Sequence, residues 1–513
     1  MADYTLTAAL NAASFPLVTR YQNRSIIIPQ YDGRLRNPTN NVNSVLDNNP
    51  NNIPQILFCE NIIPNADGIL SVAYTAGQIS VFPGAGVADD AFLLRDGDVN
   101  TWYFCPAQGM NYVSPNFGAP WVSTNPIAGA PVVPTPQVSL AEINGVTYVA
   151  YANTALLRWE TTGNFTDVSA SLVGASVGGI RAICSSGNYL ILVYSDNSVK
   201  WSSLTDPLDF TPSAATGAGS QIPIDMKGPP SYVSSISGGF LVHCAENTVA
   251  AVYTQNVAQP WIFREVKNSG GLAFGLAGIS RESSTGYIYQ YSTYGLQQLD
   301  LRTAETIHPE ITEFLSLSVL ETFDTLTNLL TITKDYPFWL KIAFLAGRYL
   351  CVSYGSGENN YQYAFWYDTV LKRWGKLKID HADLFSIGGT IYVLQRDGTV
   401  RGVGATTASS ELFEISGTGV AIFGRYQLSR SAGICSQEVE LEVLDGTQDV
   451  TVDVVVNYNG TSLSQIFSML EYESVDNYRK FQKQIEGQNL SYIIKGDFKL
   501  STILYTFTRG ARM

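Results

Sequence analysis

The sequence predicts an all-β fold: a β-propeller of six to eight blades with one inserted helix, followed by a C-terminal β-sandwich-like domain. Three observations predict it. A Gly-led hairpin recurs along the middle of the chain. Its copies lie about one blade apart. The composition also leans towards strands and turns, with 29 Tyr, 23 Phe and 44 Gly in 513 residues and charged residues at only 15%. Aromatic side chains suit a pleated, half-buried surface, and Gly suits tight turns.

The repeat has a fixed order: a Gly-containing turn, an apolar strand, a short polar turn and a second strand that often ends in an aromatic. It runs from Gly145 to Tyr151, turns at Ala152-Asn153-Thr154, and continues from Ala155 to Trp159. It recurs from Gly187 through Ser195-Asp196-Asn197 to Trp201, and from Gly239 through Ala245-Glu246-Asn247 to Tyr253. Weaker copies start at Gly286 and Gly347, and a clear one at Gly389 turns through Arg396-Asp397-Gly398. The six Gly positions give steps of 42, 52, 47, 61 and 42 residues. A four-stranded propeller blade takes about 40–50 residues, so each step holds this hairpin and a second one. Two earlier hairpins extend the series. One runs through Gly68–Tyr74, and the other through Ala91–Leu94 and Thr101–Phe104.

The longest step ends at Gly347 and holds a different pattern. After His308-Pro309-Glu310, the residues Ile311, Phe314, Leu315, Val319, Leu320, Phe323 and Leu326 fall near helical spacing. Pro and Glu suit a first helical turn. A helix is expected over 309–324.

Past residue 405 the pattern becomes strict alternation. Val439, Leu441 and Val443 share one strand face, with Glu438, Glu440 and Glu442 on the other. Asp445-Gly446 marks a turn, Val450 to Val456 alternate again, and Asn459-Gly460 closes that strand. Further strands are expected at Leu490–Ile494 and Thr502–Phe507. The N-terminal stretch from Pro29 to Pro54 is rich in Asn, which with Pro favours extended backbone and turns. Three units follow: a strand and Asn-rich arm over 1–60, a propeller over 61–404 and a β-sandwich over 405–513.

The chemistry expected from motifs is sparse. His243, His308 and His381 are the three histidines, and no metal-ligand spacing joins them. There is no phosphate-binding Gly loop and no GxSxG elbow. Catalytic, metal and cofactor residues are therefore assigned as none, partner-binding residues stay unassigned, and no enzyme is expected. The six cysteines, Cys59, Cys105, Cys184, Cys244, Cys351 and Cys435, are scattered, which fits buried free thiols in a reducing compartment. No secretory leader and no membrane helix are expected. Trp159, Trp201, Trp366 and Trp374 are expected to pack between blades rather than to stack sugars. A carboxylate-pair glycosidase is the competing enzyme class. The Asp96–Trp102 stretch loosely echoes a sialidase Asp-box, but the echo does not recur. Net charge is −13. That argues against generic duplex binding, which relies on Lys and Arg; it fits ordinary solubility, and also a wall that repels DNA. Arg20, Arg24, Arg34 and Arg36 form the densest N-terminal basic group, a candidate for pairing with an acidic neighbouring subunit.

Several passages resemble a known family. Val199-Lys-Trp-Ser-Ser-Leu-Thr-Asp-Pro-Leu-Asp-Phe-Thr-Pro212 with Thr216–Ser220, and Ala364–Gly375, resemble blade passages of the tail nozzle or tail-hub protein of short-tailed bacteriophages, also called the packaged-DNA stabilisation protein. The Gly424-Arg425 strand leading into the alternating acidic domain is similar too, as are Phe15-Pro-Leu and Arg24–Pro29. The resemblance implies a virion subunit, assembled in the host cytoplasm as a ring, typically a hexamer, below the portal and adaptor. It implies a distal tube that retains DNA, passes it through its lumen without specific binding, and docks tail fibres or spikes. The alternative is a carbohydrate-binding or carbohydrate-active propeller of receptor-binding or depolymerase type.

Overall fold

The structure, a computed structural model, describes residues 138–159, 165–272, 278–280, 286–308, 339–357, 360–370, 373–387 and 389–404 continuously. Outside 138–404 it describes the strands named below and the residues that join them within 56–64 and 464–475. The helix expected over 309–324 lies outside the described residues, as do Arg20, Arg24, Arg34, Arg36 and all of the Asn-rich stretch except Asn43–Ser44. Among the described residues helical structure is confined to a 3-10 turn at Ser169–Ser171 and to Gly278, and the rest is β-structure, turns and irregular backbone.

Seven four-stranded or near-four-stranded units of blade type follow one another among the described residues, the first two joined in one sheet by the pairing of Val146 with Asp96. Blade 1 is Phe92–Asp96, Asn100–Ala107, Met110–Ser114 and Val122–Thr124. Blade 2 is Val138–Ile143, Val146–Tyr151, Ala155–Trp159 and Phe165–Asp167. Blade 3 is Ile180–Ser186, Tyr189–Tyr194, Val199–Trp201 and Gly219–Gln221. Blade 4 is Pro230–Ile236, Gly239–Cys244, Thr248–Tyr253 and Trp261–Glu265. Blade 5 has Ile288–Ser292, Gly295–Leu299 and Ala304–Thr306, with Ile279 bridged to Gln290 where a first strand belongs. Blade 6 is Trp339–Leu345, Tyr349–Gly357, Asn360–Asp368 and Arg373–His381. Blade 7 is Asp383–Ile387, Thr390–Leu394 and Thr399–Gly404. Its fourth strand is Tyr74–Ala76, from before blade 1, with Leu412–Glu414 beyond it, and Ser80–Val81 pairs with the Thr399–Gly404 strand. A segment from before blade 1 thus pairs into blade 7.

The motif glycines 145, 187, 286, 347 and 389 fall at the connection between the first and second strand of a blade, and Gly239 opens the second strand of blade 4. At blade 3 that connection is Gly187-Asn188, both at positive φ (55° and 66°). This is the backbone that a two-residue hairpin turn requires. The polar turns of the repeat join second to third strands, and Asp fixes two of them. Asp196 accepts a hydrogen bond from the Ser198 amide at 2.9 Å, and Asp397 accepts one from the Thr399 amide at 2.9 Å.

First strands of successive blades pack side by side: blade 2 on 3, 3 on 4, and 6 on 7. The cores lie between blades. Blades 3, 4 and 5 share one cluster that includes Trp201, Phe240, Trp261 and Ile288. Blades 6 and 7 share another around Trp366, Leu377 and Val393.

The C-terminal strands form two sheets, and the N-terminus is woven into both. In one, the order is Val18–Thr19, Asp3–Leu6, Lys499–Arg509, Ile434–Val443, Tyr478–Gly487, Leu470–Val475, with Ile62–Pro64 and Leu70–Val72 attached through the Lys499–Arg509 strand. In the other, Ile56–Glu60 joins blade 6 to Gly419–Gln427, Asn489–Gly496, Val450–Asn457 and Ser464–Ser468. Asn43–Ser44 adds a parallel pair to Gly419–Gln427. These sheets cross the boundaries expected at 60 and 404.

Two pairings differ from the hairpins that turn signals suggest. Ile434–Val443 and Val450–Asn457 flank Asp445-Gly446 but lie in different sheets. The Gly68–Tyr74 run divides at Ala73, with Leu70–Val72 going to the C-terminal sheet and Tyr74–Ala76 to blade 7. A local turn signal marks where a strand ends; it does not choose the partner when several edges compete.

Candidate functional site: buried polar junctions and an acidic sheet face

The passage from Val199 to Ser220 is a self-bonded loop on blade 3. Trp201 is buried, and its indole Nε1 donates to the Gly217 carbonyl at 2.7 Å. Ser202 and Ser203 are buried, and the Ser203 amide donates to the Asp209 carbonyl at 2.7 Å. Asp206 and Asp209 each accept from the amide two residues on, at 2.9 Å, and Phe210 is buried. Each distinctive residue here holds a loop in shape. The Ala364–Gly375 passage is built the same way. Trp366 is buried, and Asp368 holds Arg348 through contacts of 2.6 and 3.0 Å.

Trp159, Trp201 and Trp366 pack in blade cores, as expected, while the Trp374 side chain lies outside the described residues. Cys184, Cys244 and Cys351 are free and buried. Burial pushes the Cys184 and Cys351 thiols up and Cys244 to about 12, so they stay protonated.

Two histidines sit in polar junctions. His243 on blade 4 donates through Nδ1 to Gln290 Oε1 of blade 5 at 2.9 Å, and its Nε2 accepts from Ser234 Oγ at 3.1 Å. The Gln290 amide continues to the Gly270 carbonyl and to Gln297, which holds the Asn268 carbonyl. The second junction ties blade 6 to blade 7. Lys341 and Asp383 form an ion pair at 2.7 Å with side-chain exposures of 7% and 3%. Beside it, His381 Nδ1 donates to the Ile379 carbonyl, and Nε2 lies 2.7 Å from Ser353 Oγ. That is the tautomer a serine nucleophile would need. However, Ser353 and His381 are 2% and 1% exposed, and Asp383 is committed to Lys341. The dyad geometry therefore serves the junction. Sequence spacing could not show it, because Lys341, Ser353 and His381 lie on three different strands. His308, at positive φ, packs its ring 4.2 Å from that of Tyr367.

Burial sets the protonation of both junction histidines. Desolvation lowers each from 6.5 to about 4, against the opposing hydrogen bonds to Gln290 and the Ile379 carbonyl. The unfolded chain takes up these protons near pH 6.5, and the folded chain only near pH 4. Stability is therefore whole above 6.5 and falls as pH drops towards 4, by on the order of 3 kcal/mol per histidine. Urea unfolding at pH 7 and pH 4.5 should show a lower midpoint at the acid end. A His243→Gln, His381→Gln double variant should show a flatter profile.

The C-terminal sheet carries the acidic stripe. Val439 and Leu441 are buried, and Glu438 and Glu440 are half-buried on the opposite face. Glu440 pairs across to Lys480, and Lys480 to Glu473, with Lys480 Nζ at 3.0 Å from Glu473. A bulge between Glu471 and Glu473 re-aims Tyr472, which donates to Glu438 at 2.6 Å. Glu440, Glu473, Tyr478 and Lys480 line a depression of about 180 Å³. Burial, with Glu438 and Glu473 adding to it, raises the Glu440 carboxyl despite Lys480.

No protein-family model matches the chain, and no curated protein does. Solved structures similar to it include three propeller or surface proteins. The WD40 β-propeller domain of Doa1 is 12% identical, covering 64% of this chain and 97% of that one at a TM-score of 0.37. YCF48 bound to D1 peptide is 9% identical, covering 65% and 95% at 0.40. PorZ of Porphyromonas gingivalis, a surface component of a type-IX secretion system, is 12% identical, covering 67% and 44% at 0.37. These scores lie below 0.5, and the blade assignment stands on strand pairing alone. Among the described residues no helix is long and apolar enough to cross a membrane.

Proposed function

We propose that the chain is a structural wall subunit, the tail nozzle of a short-tailed bacteriophage. In this reading it assembles as a ring, retains and then passes DNA without specific binding, and docks fibres or spikes on its outer loops. The observation that carries the reading is how the family-like passages are built. Trp201, Ser202, Ser203, Asp209 and Phe210 are all spent on shaping one loop, as Trp366 and Asp368 are on another. A rigid wall needs such residues, and their kind and order are what the resemblance rests on. The joining of blade 6 to the C-terminal sheet through Ile56–Glu60 supports the same reading, since it makes one continuous sheet of the two parts. The net charge of −13 suits a lumen that does not hold DNA.

The test uses an antibody raised against the purified chain. Gold labelling is expected at the distal tail tip of phage particles. The chain should also fail to retard duplex DNA at low salt. Label on capsids or host cells only, or tight salt-sensitive DNA binding, would contradict the reading.

A further inference from the structure

The acidic stripe and its neighbours lie on the last three strands at one end of their sheet, and the opposite end leads into a basic segment. The sheet order runs from Val18–Thr19 at one end to Leu470–Val475 at the other. Residues 20–36 follow directly on Val18–Thr19 and hold Arg20, Arg24, Arg34 and Arg36 against a single acid, Asp32, a net of +3. Among the described side chains, the last three strands at the far end carry Glu438, Glu440 and Glu473 on one face against Lys480, a net of −2. Three large side chains stand exposed there: Leu470 at 71%, Tyr472 at 44% and Tyr478 at 40%. Arginine suits such a face, because its planar guanidinium pairs with carboxylates and stacks on aromatic rings.

We propose that this face, Glu438, Glu440, Glu473, Leu470, Tyr472 and Tyr478, is the docking surface for the arginine-bearing segment 20–36 of a second copy of the chain. The donor edge and the acceptor edge are opposite ends of one sheet, so the contact is head-to-tail. A heterologous contact of that kind builds a ring when its rotation closes and a filament when it does not. The proposal rests on the ring reading above and names the surface that would hold neighbours together.

The two halves can be reversed separately. One variant carries Glu440→Lys and Glu473→Lys, which turns the face from −2 to +2. The other carries Arg24→Glu, Arg34→Glu and Arg36→Glu, which turns the segment from +3 to −3. Each variant alone should lose assembly in sedimentation velocity, with self-association weakened on the order of 100-fold. Mixed one to one, they should reassemble, because each reversed segment then meets a reversed face. Circular dichroism checks folding, and Glu440→Gln with Glu473→Gln replaces a misfolded charge reversal, with about a 10-fold weakening expected. Assembly that persists in either variant alone overturns the proposal, and so does loss that mixing leaves unrepaired. A variant segment that lowers thermal stability without changing mass places the segment on its own chain and also overturns it. A wild-type ring with any of these results leaves the ring reading standing, whereas a wild-type chain monomeric at all concentrations overturns both.

Discussion

Lys341→Met is expected to lower folding stability by about 3–5 kcal/mol, because it strands the Asp383 carboxylate in a nearly dry junction. The pair is 2.7 Å apart and both partners are almost fully buried. Lys341 also reaches the Ala382 carbonyl, so its loss unties the first strand of blade 7 from that of blade 6. Asp383→Leu alone should cost a similar amount, since it strands the ammonium. The double variant should be markedly less harmful than either single change, because it leaves no uncompensated charge. Urea unfolding of the four proteins, read as a double-mutant cycle, measures this. Two additive single effects would mean that the pair is not coupled.

Gly239→Ala is the second large effect, expected to cost about 3 kcal/mol or to abolish folding. Gly239 opens the second strand of blade 4, and a Cβ there would collide with the Ala251 carbonyl on the neighbouring strand. The obstacle is backbone, which a rotamer change cannot relieve. Gly178→Ala is the control. Nothing lies within 4 Å of its added Cβ, and its φ is ordinary, so a change within about 0.5 kcal/mol is expected. Thermal unfolding of both variants compares them. Equal melting temperatures would refute the packing role assigned to Gly239.

The repeat glycines show what the sequence could and could not reveal. The second and third strands of blades 2, 3, 4 and 7 were legible, whereas the hairpin read at Ala91–Phe104 supplies the first and second strands of blade 1. Tyr189–Tyr194 and Gly239–Cys244 are buried throughout, and Gly or Asp turns bound them. Other blade strands carry a weaker local signal. First strands such as Ile180–Ser186 mix Ser, Cys and Arg with apolar residues, because their polar groups reach the next blade. Ser139 Oγ accepts from the Ile183 amide at 2.9 Å, and Ser186 Oγ donates to the Gly239 carbonyl at 2.9 Å. Fourth strands such as Gly219–Gln221 and Ala304–Thr306 are three residues long and mostly exposed. Pairings of Tyr74–Ala76 with blade 7, and of Asp3–Leu6 with Lys499–Arg509, join residues hundreds of positions apart. No periodicity within a short window records them.

The acidity shows a second limit. Net charge suggested a DNA-repelling wall, yet Asp196, Asp206, Asp209, Asp300 and Asp397 each hold a turn by accepting a nearby amide. Part of the negative charge is therefore turn chemistry. The Glu438–Glu440 stripe was legible from alternation, whereas its aromatic rim was not. Tyr472 joins it only through a bulge in the Leu470–Val475 strand.

Electron microscopy of the purified chain, followed by averaging of end-on views, tests the central proposal most directly. The account predicts closed rings of blade-bearing subunits around an open, acid-lined channel wide enough for duplex DNA, about 20 Å or more across. Monomers with a solid centre, or rings whose channel is lined by Lys and Arg, would contradict it.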